Sequence, residues 1–131
     1  MAKENSLEQE LTQFMKNYEL NANQKDFNKV KPFISEDAIF WFSDGSHTGI
    51  HQIQKAFEKT WLALKDEIYT ISEVKWLDIT KNSAICIYKF TSQSTTNGNK
   101  SIFYGRGTNV FSKTQDSWKI VHEHLSLEPK K

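Results

Sequence analysis

Residues 101–126, SIFYGRGTNVFSKTQDSWKIVHEHLS, determine the predicted fold class. The segments 101–112 and 118–126 are rich in β-branched and aromatic residues, and a short polar segment at 113–117 separates them. A connection this short favours antiparallel neighbours, because a parallel crossover needs about a dozen residues or more. The stretch therefore predicts the closing hairpin of an antiparallel sheet.

Two more strand-like runs precede this hairpin, at residues 68–77 and 83–91. The segments 78–82 and 92–100 are polar, and we interpret them as the connecting loops. The second half of the chain therefore predicts a four-stranded meander. Gly105 and Gly107 lie inside one of its strands, where we expect a bulge or a sharp bend of the sheet.

The first half of the chain has helical periodicity. Apolar residues recur at spacings of three and four after Ser6, which predicts a first helix that begins with Ser6 as its N-cap and ends near residues 21–23. Asp26 is predicted to cap a short second helix, which contains Pro32 and which residues 35–37 end. The first two elements are therefore expected to be helices.

A short strand and a third helix are predicted between these helices and the meander. Residues 38–42 form a compact apolar run, and Asp44-Gly45 after it is a strong turn signal. Residues 50–64 carry apolar side chains on one helical face. Helices in the first half and strands in the second indicate an α+β fold, predicted as one domain over residues 1–131 with an ordered core at about 6–127.

Both faces of the predicted sheet are largely apolar. Period-two alternation places Ala84, Cys86, Tyr88 and Phe90 on one side of their strand and Ile85 and Ile87 on the other. In the last strand, the same alternation separates two sets: Trp118, Ile120, His122 and His124 on one side, and Val121, Glu123 and Leu125 on the other. Because large exposed apolar patches are uncommon on monomers, the face without helices predicts a homodimer interface.

Charge and composition disfavour several classes of protein. Seventeen basic against sixteen acidic residues give a net charge of +1, which argues against nucleic acid or an anionic membrane as a partner. Cys86 is the single cysteine, and its apolar surroundings indicate a buried thiol in a reducing compartment. Without a secretory signal or an apolar run of about 18 residues, we expect a cytoplasmic protein.

The four histidines form two pairs, His47 with His51 and His122 with His124. Either pair has a spacing that a transition metal could use, but neither belongs to a known ligand signature. We therefore expect no metal and no cofactor.

Two stretches resemble a known family. One is Tyr104–Lys113 followed by Asp116–Ser126, and the other is His47-Thr48-Gly49 leading into the helix that carries Phe57 and Trp61. They are similar to the SnoaL-like branch of the nuclear transport factor 2-like superfamily, which has a cystatin-like fold. The first stretch is also similar to the association domain of calcium/calmodulin-dependent kinases. The resemblance implies a cone-shaped, strongly curved antiparallel sheet packed against three helices, a pocket on its concave face and a homodimer through its convex face.

The resemblance also implies a candidate site. Enzymes of this family use acid–base chemistry in an apolar pocket, where burial raises the pKa of a carboxyl group. Glu123 is the candidate acid/base, and its alternative role is an ordinary ion pair or a place at the pocket mouth. The candidate ligand-binding residues, which would otherwise be plain core, are Tyr18, Trp41, Tyr88, Phe90 and Asn109.

Relatives of this family include isomerases, dehydratases, cyclases and hydrolases of small molecules, as well as inert scaffolds. We therefore expect a pocket for a small, largely hydrophobic molecule, with one of these acid–base activities. The alternative is a non-catalytic homo-oligomeric assembly or regulatory module. Fold alone does not decide between them, so whether the chain is an enzyme stays open at this point.

Overall fold

The structure, a computed structural model, describes residues 2–128 and the side chains of residues 6–128. Within this range the chain forms three α-helices, one 3₁₀ turn and six strands, as the α+β prediction requires. In chain order they are α1 (Ala2–Ala22), α2 (Phe27–Val30), the 3₁₀ turn (Lys31–Phe33), β1 (Ile34–Phe42), β2 (Gly45–Thr48), α3 (Ile50–Ala63), β3 (Ile68–Ile79), β4 (Ser83–Thr96), β5 (Asn99–Thr114) and β6 (Ser117–Leu127).

All six strands belong to one sheet, in the order β2-β1-β6-β5-β4-β3. The predicted meander of β3 to β6 is confirmed. The sheet is mixed rather than wholly antiparallel, because β1 pairs with β6 in parallel. Sequence proximity could not indicate this pairing, since α3 and four strands separate β1 from β6.

Several element boundaries differ from the predicted ones. β1 begins at Ile34, so residues 35–37 belong to this strand and do not simply end a helix. β4 and β5 continue through most of the predicted loop at 92–100 and leave only Asn97 and Gly98 between them. Both residues have positive φ, 53° and 80°, as a tight hairpin turn requires. Polar composition alone therefore misidentified the ends of two strands as a loop.

The first helix begins before its predicted start. α1 spans Ala2–Ala22, so Ser6 lies inside the helix and is not its N-cap. The second predicted cap is confirmed, because the Asp26 carboxylate accepts a hydrogen bond from the backbone N–H of Asn28. No helix within residues 2–128 combines the length and the apolar character that crossing a bilayer demands.

The helices pack on one face of the sheet, which we call the inner face. It carries the predicted set from β4, and all of these side chains are buried: Ala84, Cys86, Tyr88 and Phe90. The opposite, outer face carries Ile85, Ile87, His122 and His124. Leu11 of α1 and Ile53 of α3 are completely buried against the inner face, so the core lies between the helices and the sheet.

A register shift in β6 changes which side chains point inward. Val110 of β5 pairs with His122, whereas Phe111 pairs with Ile120, so Val121 is an extra residue in β6. Trp118 and Ile120 are therefore buried, 5% and 0% exposed, together with Glu123. The predicted grouping of Trp118 and Ile120 with the outer-face histidines is wrong, because strict alternation does not hold across a bulge.

The two glycines of β5 have a different role from the predicted bulge. The pairing of β4 with β5 continues without a register shift through Gly105, opposite Phe90, and Gly107, opposite Tyr88. A Cβ atom at Gly105 would lie 2.1 Å from the Phe90 ring, and one at Gly107 would lie 2.4 Å from the Tyr88 ring. The glycines therefore provide the space in which two aromatic rings cross the inner face.

Candidate functional site

A cavity of about 370 Å³ lies between the inner face of the sheet and the helices. Most of its wall is aromatic or aliphatic, as in many small-molecule sites. α3 contributes Phe57 and Trp61, whose rings pack edge to face with centroids 5.5 Å apart. Other apolar wall residues are Phe42, Phe90, Phe103, Leu125 and Leu127. Only a minority of the residues that line the cavity therefore carry polar groups with oxygen atoms.

Glu123 is the most deeply buried of these polar groups, with 2% of its surface exposed. The phenol of Tyr18 in α1 donates a hydrogen bond of 3.0 Å to its Oε1 atom. Burial raises the pKa of the Glu123 carboxyl to about 7, and hydrogen bonds from Tyr18, Asn109 and Tyr88 oppose that rise. A carboxyl group with this pKa can both donate and accept a proton near neutral pH.

Tyr88 and Asn109 hold the carboxyl from the core side. Asn109 lies opposite Glu123 in the pairing of β5 with β6, and its Oδ1 atom accepts a hydrogen bond of 2.9 Å from the Tyr88 phenol. Burial, and then the charge of Glu123, raise the pKa of the Tyr88 phenol well above its ordinary value. Both residues are next to the carboxyl but are not among the described residues that line the cavity. They position Glu123 from behind.

Tyr69 of β3 also faces this region, although the sequence did not suggest it. Its ring lines the cavity and lies 5.5 Å from the ring of Phe90. Burial, and after it the charge of Glu123, raise the pKa of the Tyr69 phenol well above its ordinary value. The phenol therefore keeps its proton and can donate a hydrogen bond to a bound molecule.

A second buried carboxyl, that of Glu67, lines the cavity and was also missed. It is 9% exposed, and the hydroxyl of Ser92 donates a hydrogen bond to it. The backbone oxygen of Glu67 accepts a hydrogen bond of 2.6 Å from the ammonium group of Lys25. Tyr69 is the second residue of β3, so period-two alternation was a signal that could have placed it on the inner face, whereas Glu67 lies one residue before the strand.

Trp41 does not lie in the cavity. In β1 the inner positions are Phe40 and Phe42, and Trp41 between them points to the outer face, where it is 45% exposed. Its ring packs edge-on against His122 and His124, at centroid distances of 5.1 and 5.4 Å. Of the predicted residues, the structure brings Tyr18, Tyr88, Phe90, Asn109 and Glu123 together on the inner side, and it separates Trp41 from them.

The histidines and the cysteine lie outside the cavity wall. His47 pairs with Asp44 at 3.2 Å, while His122 and His124 lie on the outer face. Within residues 2–128, no three His, Cys, Asp or Glu side chains are grouped in a way that could hold a metal ion. Burial raises the pKa of the Cys86 thiol to about 12, so the nucleophilic thiolate form is disfavoured.

Comparison with solved structures identifies the architecture. A nuclear transport factor 2-like superfamily protein from Salmonella enterica superposes with a TM-score of 0.84 at 21% identity, over 97% of this chain and 94% of that chain. A similar protein with a cystatin-like fold from Novosphingobium aromaticivorans has a TM-score of 0.84 at 12% identity, covering 99% and 87%. The association domain of CaMKII from C. elegans has a TM-score of 0.78 at 18% identity, covering 96% and 99%. These identities establish a shared fold.

Comparison of the sequence itself identifies the family. A search of curated proteins finds no match. The family model described as a SnoaL-like domain matches residues 11–129, which is most of the chain and includes Tyr18, Asn109 and Glu123. The fold of this family supports both enzymes and non-catalytic association domains. The chain belongs to the SnoaL-like domain family.

Proposed function

We propose that this protein binds a small, largely apolar molecule in the inner-face cavity and transfers a proton to or from it through Glu123. The observation that supports this proposal is a buried carboxyl with a pKa of about 7 at the wall of an aromatic cavity. A purely structural glutamate would be expected on the surface or in an ion pair, because burial of a carboxylate is costly. The tyrosine hydrogen bond instead holds Glu123 at the cavity.

The arrangement supports a general acid–base mechanism. In its ionised form Glu123 accepts a proton from a carbon next to a carbonyl group, and in its protonated form it returns that proton elsewhere or protonates a leaving hydroxyl. The phenol of Tyr69 lines the same cavity and donates a hydrogen bond to the oxygen on which negative charge develops, whereas the single phenol proton of Tyr18 is held by Glu123. Isomerisation, cyclisation, dehydration and hydrolysis all use such steps.

The aromatic wall has two effects on this chemistry. Phe57, Trp61 and Phe90 leave little polar surface for water beside Glu123, which keeps its pKa high. They also select a substrate by apolar contact, at about 25 cal/mol for each Å² of apolar surface removed from water. The expected substrates are compact hydrophobic ketones, lactones and alcohols that fill about 370 Å³.

Two measurements test this proposal. A thermal-shift screen of hydrophobic ketones, lactones and alcohols should find stabilising ligands, since a ligand at a hundred times its Kd stabilises the folded state by about 2.7 kcal/mol. Ketone hits are then incubated in D₂O, where we expect exchange of the proton beside the carbonyl with wild type and its loss with Glu123→Gln. The matched control is Glu36→Gln on exposed β1 surface. The proposal would be contradicted if no compound of the panel stabilised the protein. It would also be contradicted if Glu123→Gln exchanged the proton of the ketone as fast as wild type.

A second candidate function is homo-oligomeric association through the outer face. This face exposes a set of large apolar side chains, with exposures of 38–56%: Ile39, Trp41, Ile87, Ile102 and Tyr104. A second copy of the same chain would cover them, and the structural relatives include a protein named as an association domain. We therefore also propose a homodimer through the outer face. Such a dimer is compatible with a catalytic cavity and with a non-catalytic one.

Sedimentation equilibrium at micromolar concentration tests the homodimer. The expected mass is twice that of the 15.3 kDa chain. Trp41→Glu should return the mass to 15.3 kDa, because it places a charge among the apolar side chains of the proposed interface. Leu62→Glu is the control, since Leu62 is 72% exposed on α3, away from the sheet. A monomeric wild type would overturn the proposal.

A further inference from the structure

The charges around the cavity have one sign. Three carboxyl-bearing residues line it, Glu123, Glu67 and Asp44, and no Lys, Arg or His is among the described residues of the wall. Two basic groups contact residues of the wall without lining the cavity themselves. Lys25 donates to the backbone oxygen of Glu67, and His47 pairs with Asp44. The cavity is therefore acidic as well as apolar.

The two buried carboxyls of this wall lack a cationic partner. Within the described part of the chain, no ammonium, guanidinium or imidazole nitrogen lies within 4.0 Å of a carboxyl oxygen of Glu67 or Glu123, although the Lys25 ammonium lies 2.6 Å from the backbone oxygen of Glu67. Glu123 is surrounded by neutral donors, from Tyr18, Asn109 and Tyr88. Glu67 has the Ser92 hydroxyl as its described hydrogen-bond donor. A buried carboxyl that no cation compensates is costly, and a cationic ligand would lower that cost.

The surroundings of Tyr69 indicate the same negative potential. After burial, the causes that raise the pKa of its phenol include the charges of Glu123, Glu67 and Glu19. The hydrogen bond with Tyr88 is the one opposing influence. No basic group contributes to the balance at this position of the wall.

Aromatic rings stand beside these carboxyls. The same cavity is lined by two pairs of packed rings, Tyr69 with Phe90 and Phe57 with Trp61, and in each pair the ring centroids lie 5.5 Å apart. The face of an aromatic ring attracts a cation, and the attraction increases as water is excluded. Rings together with a carboxyl that has no ion-pair partner are the groups that recognise protonated amines, whereas a carboxylate or phosphate ligand would meet repulsion from the three carboxyl-bearing residues of the wall.

We propose that the cavity selects apolar amines, with the protonated nitrogen bound by the Glu67 carboxyl and the apolar body packed against Trp61, Phe57 and Phe90. This inference rests on the proposed function and names its ligand class, because the amine anchors a molecule whose far end reaches Glu123. Ser92 orients the Glu67 carboxyl for this contact. The specificity of the site therefore lies in Glu67 and its chemistry in Glu123.

Three ligands of one shape separate charge from apolar contact: 2-naphthylmethylamine, 2-naphthalenemethanol and 2-naphthoate. We expect isothermal titration calorimetry at pH 7.4 to give a Kd for the amine at least tenfold lower than that for the alcohol, and no measurable binding of the carboxylate. In Glu67→Gln the Kd of the amine should rise at least tenfold while that of the alcohol changes less than threefold. Glu36→Gln, a matched change of an exposed residue, should leave both constants unchanged.

The outcomes distinguish this inference from the function on which it rests. If the alcohol binds as tightly as the amine, or the carboxylate binds best, the selection of amines is wrong and a neutral-ligand or anionic-ligand site remains. Equal loss of both ligands in Glu67→Gln also overturns it. If none of the three binds at millimolar concentration the amine inference fails, and the ketone and lactone screen decides the proposed function separately. The comparison of the three ligands in wild type needs no variant and so does not depend on how Glu67→Gln folds.

Discussion

The phenol of Tyr18 donates a hydrogen bond to Glu123 across 105 residues of sequence, at 3.0 Å. This bond joins α1 to β6, so the carboxyl acquires its surroundings only when the first helix packs on the inner face. Fold and site therefore depend on the same contact. A substitution that weakens the packing of α1 on the sheet should therefore change the pKa of Glu123 even where the sheet itself stays folded.

The stability of the protein should depend on pH because burial raises the pKa of Glu123. Its pKa is about 7 in the folded chain, above its ordinary value of 4.5, so the unfolded state loses this proton first as pH rises. The contribution of Glu123 to stability is therefore fully present below about pH 4.5, is lost progressively up to about pH 7, and stays lost above that value. The total loss is roughly 3 kcal/mol.

Urea unfolding at several pH values measures this effect. The stability of Glu123→Gln relative to wild type should increase by roughly 3 kcal/mol between pH 4.5 and pH 8, because glutamine does not titrate. Glu36→Gln should remain parallel to wild type over the same range. A constant difference between Glu123→Gln and wild type would show that Glu123 titrates normally in the folded chain.

Tyr18→Phe should raise the pKa of Glu123 further. The Tyr18 hydrogen bond favours the charged carboxylate and is the largest of the influences that lower this pKa. Removing the hydroxyl therefore leaves burial less opposed, and the midpoint of a carbon-13 NMR titration of the Glu123 carboxyl should move above 7. Tyr104→Phe, at an exposed outer-face tyrosine, is the control. A midpoint that stays or falls would mean that the hydrogen bond does not act on the charged form.

Tyr88 and Asn109 should be energetically coupled. Each is buried and the phenol of one donates to the amide oxygen of the other at 2.9 Å, so either Tyr88→Phe or Asn109→Leu leaves a polar group without that partner. Each single change should cost about 1–3 kcal/mol of unfolding free energy. The double variant should cost less than the sum, by about 1 kcal/mol, in a urea-unfolding cycle. If the costs of the two single changes are additive in the double variant, Tyr88 and Asn109 do not interact.

Gly107→Ala should destabilise the protein through the Tyr88 ring. An added Cβ would lie 2.4 Å from that ring, which must move away from Asn109. Overpacking of this kind costs about 1–3 kcal/mol, and thermal unfolding should register it. Arg106→Ala is the control, because Arg106 is the exposed neighbour on the same strand. If Gly107→Ala unfolds at the temperature of Arg106→Ala, the ring does not need this space.

Much of the architecture follows from the sequence because the period of its apolar residues changes from 3.6 to 2 near residue 66. The third helix and the meander follow from that local signal. The turn after β1 follows instead from the Asp44-Gly45 pair, although the turn residues are Ser43 and Asp44 and Gly45 already begins β2. The parallel pairing of β1 with β6 does not, since it joins distant segments. The bulge at Val121 could not be predicted from the sequence either, because no glycine or proline lies near it.

The site was predictable where a residue lies within a regular strand or helix. Glu123, Tyr88, Phe90 and Tyr18 follow from alternation or helical spacing, together with the family resemblance, which also indicated Asn109. Trp41 was predicted to line the pocket because it is aromatic, whereas the alternation of side chains along β1 places it on the outer face. Glu67 lies one residue before β3 begins, where no strand pattern covers it. Element ends are thus where functional side chains were missed.

β6 is the last strand of the sheet along the chain, yet it lies third from one edge, between β1 and β5. During synthesis on the ribosome, the hairpin of β1 and β2 therefore has no neighbour in the sheet until residues 117–127 have left the exit tunnel. Until then the edges of β1 and β5 are open to pairing with other chains. A chain that ends before residue 117 therefore lacks the one strand that joins β1 to β5 within the described sheet.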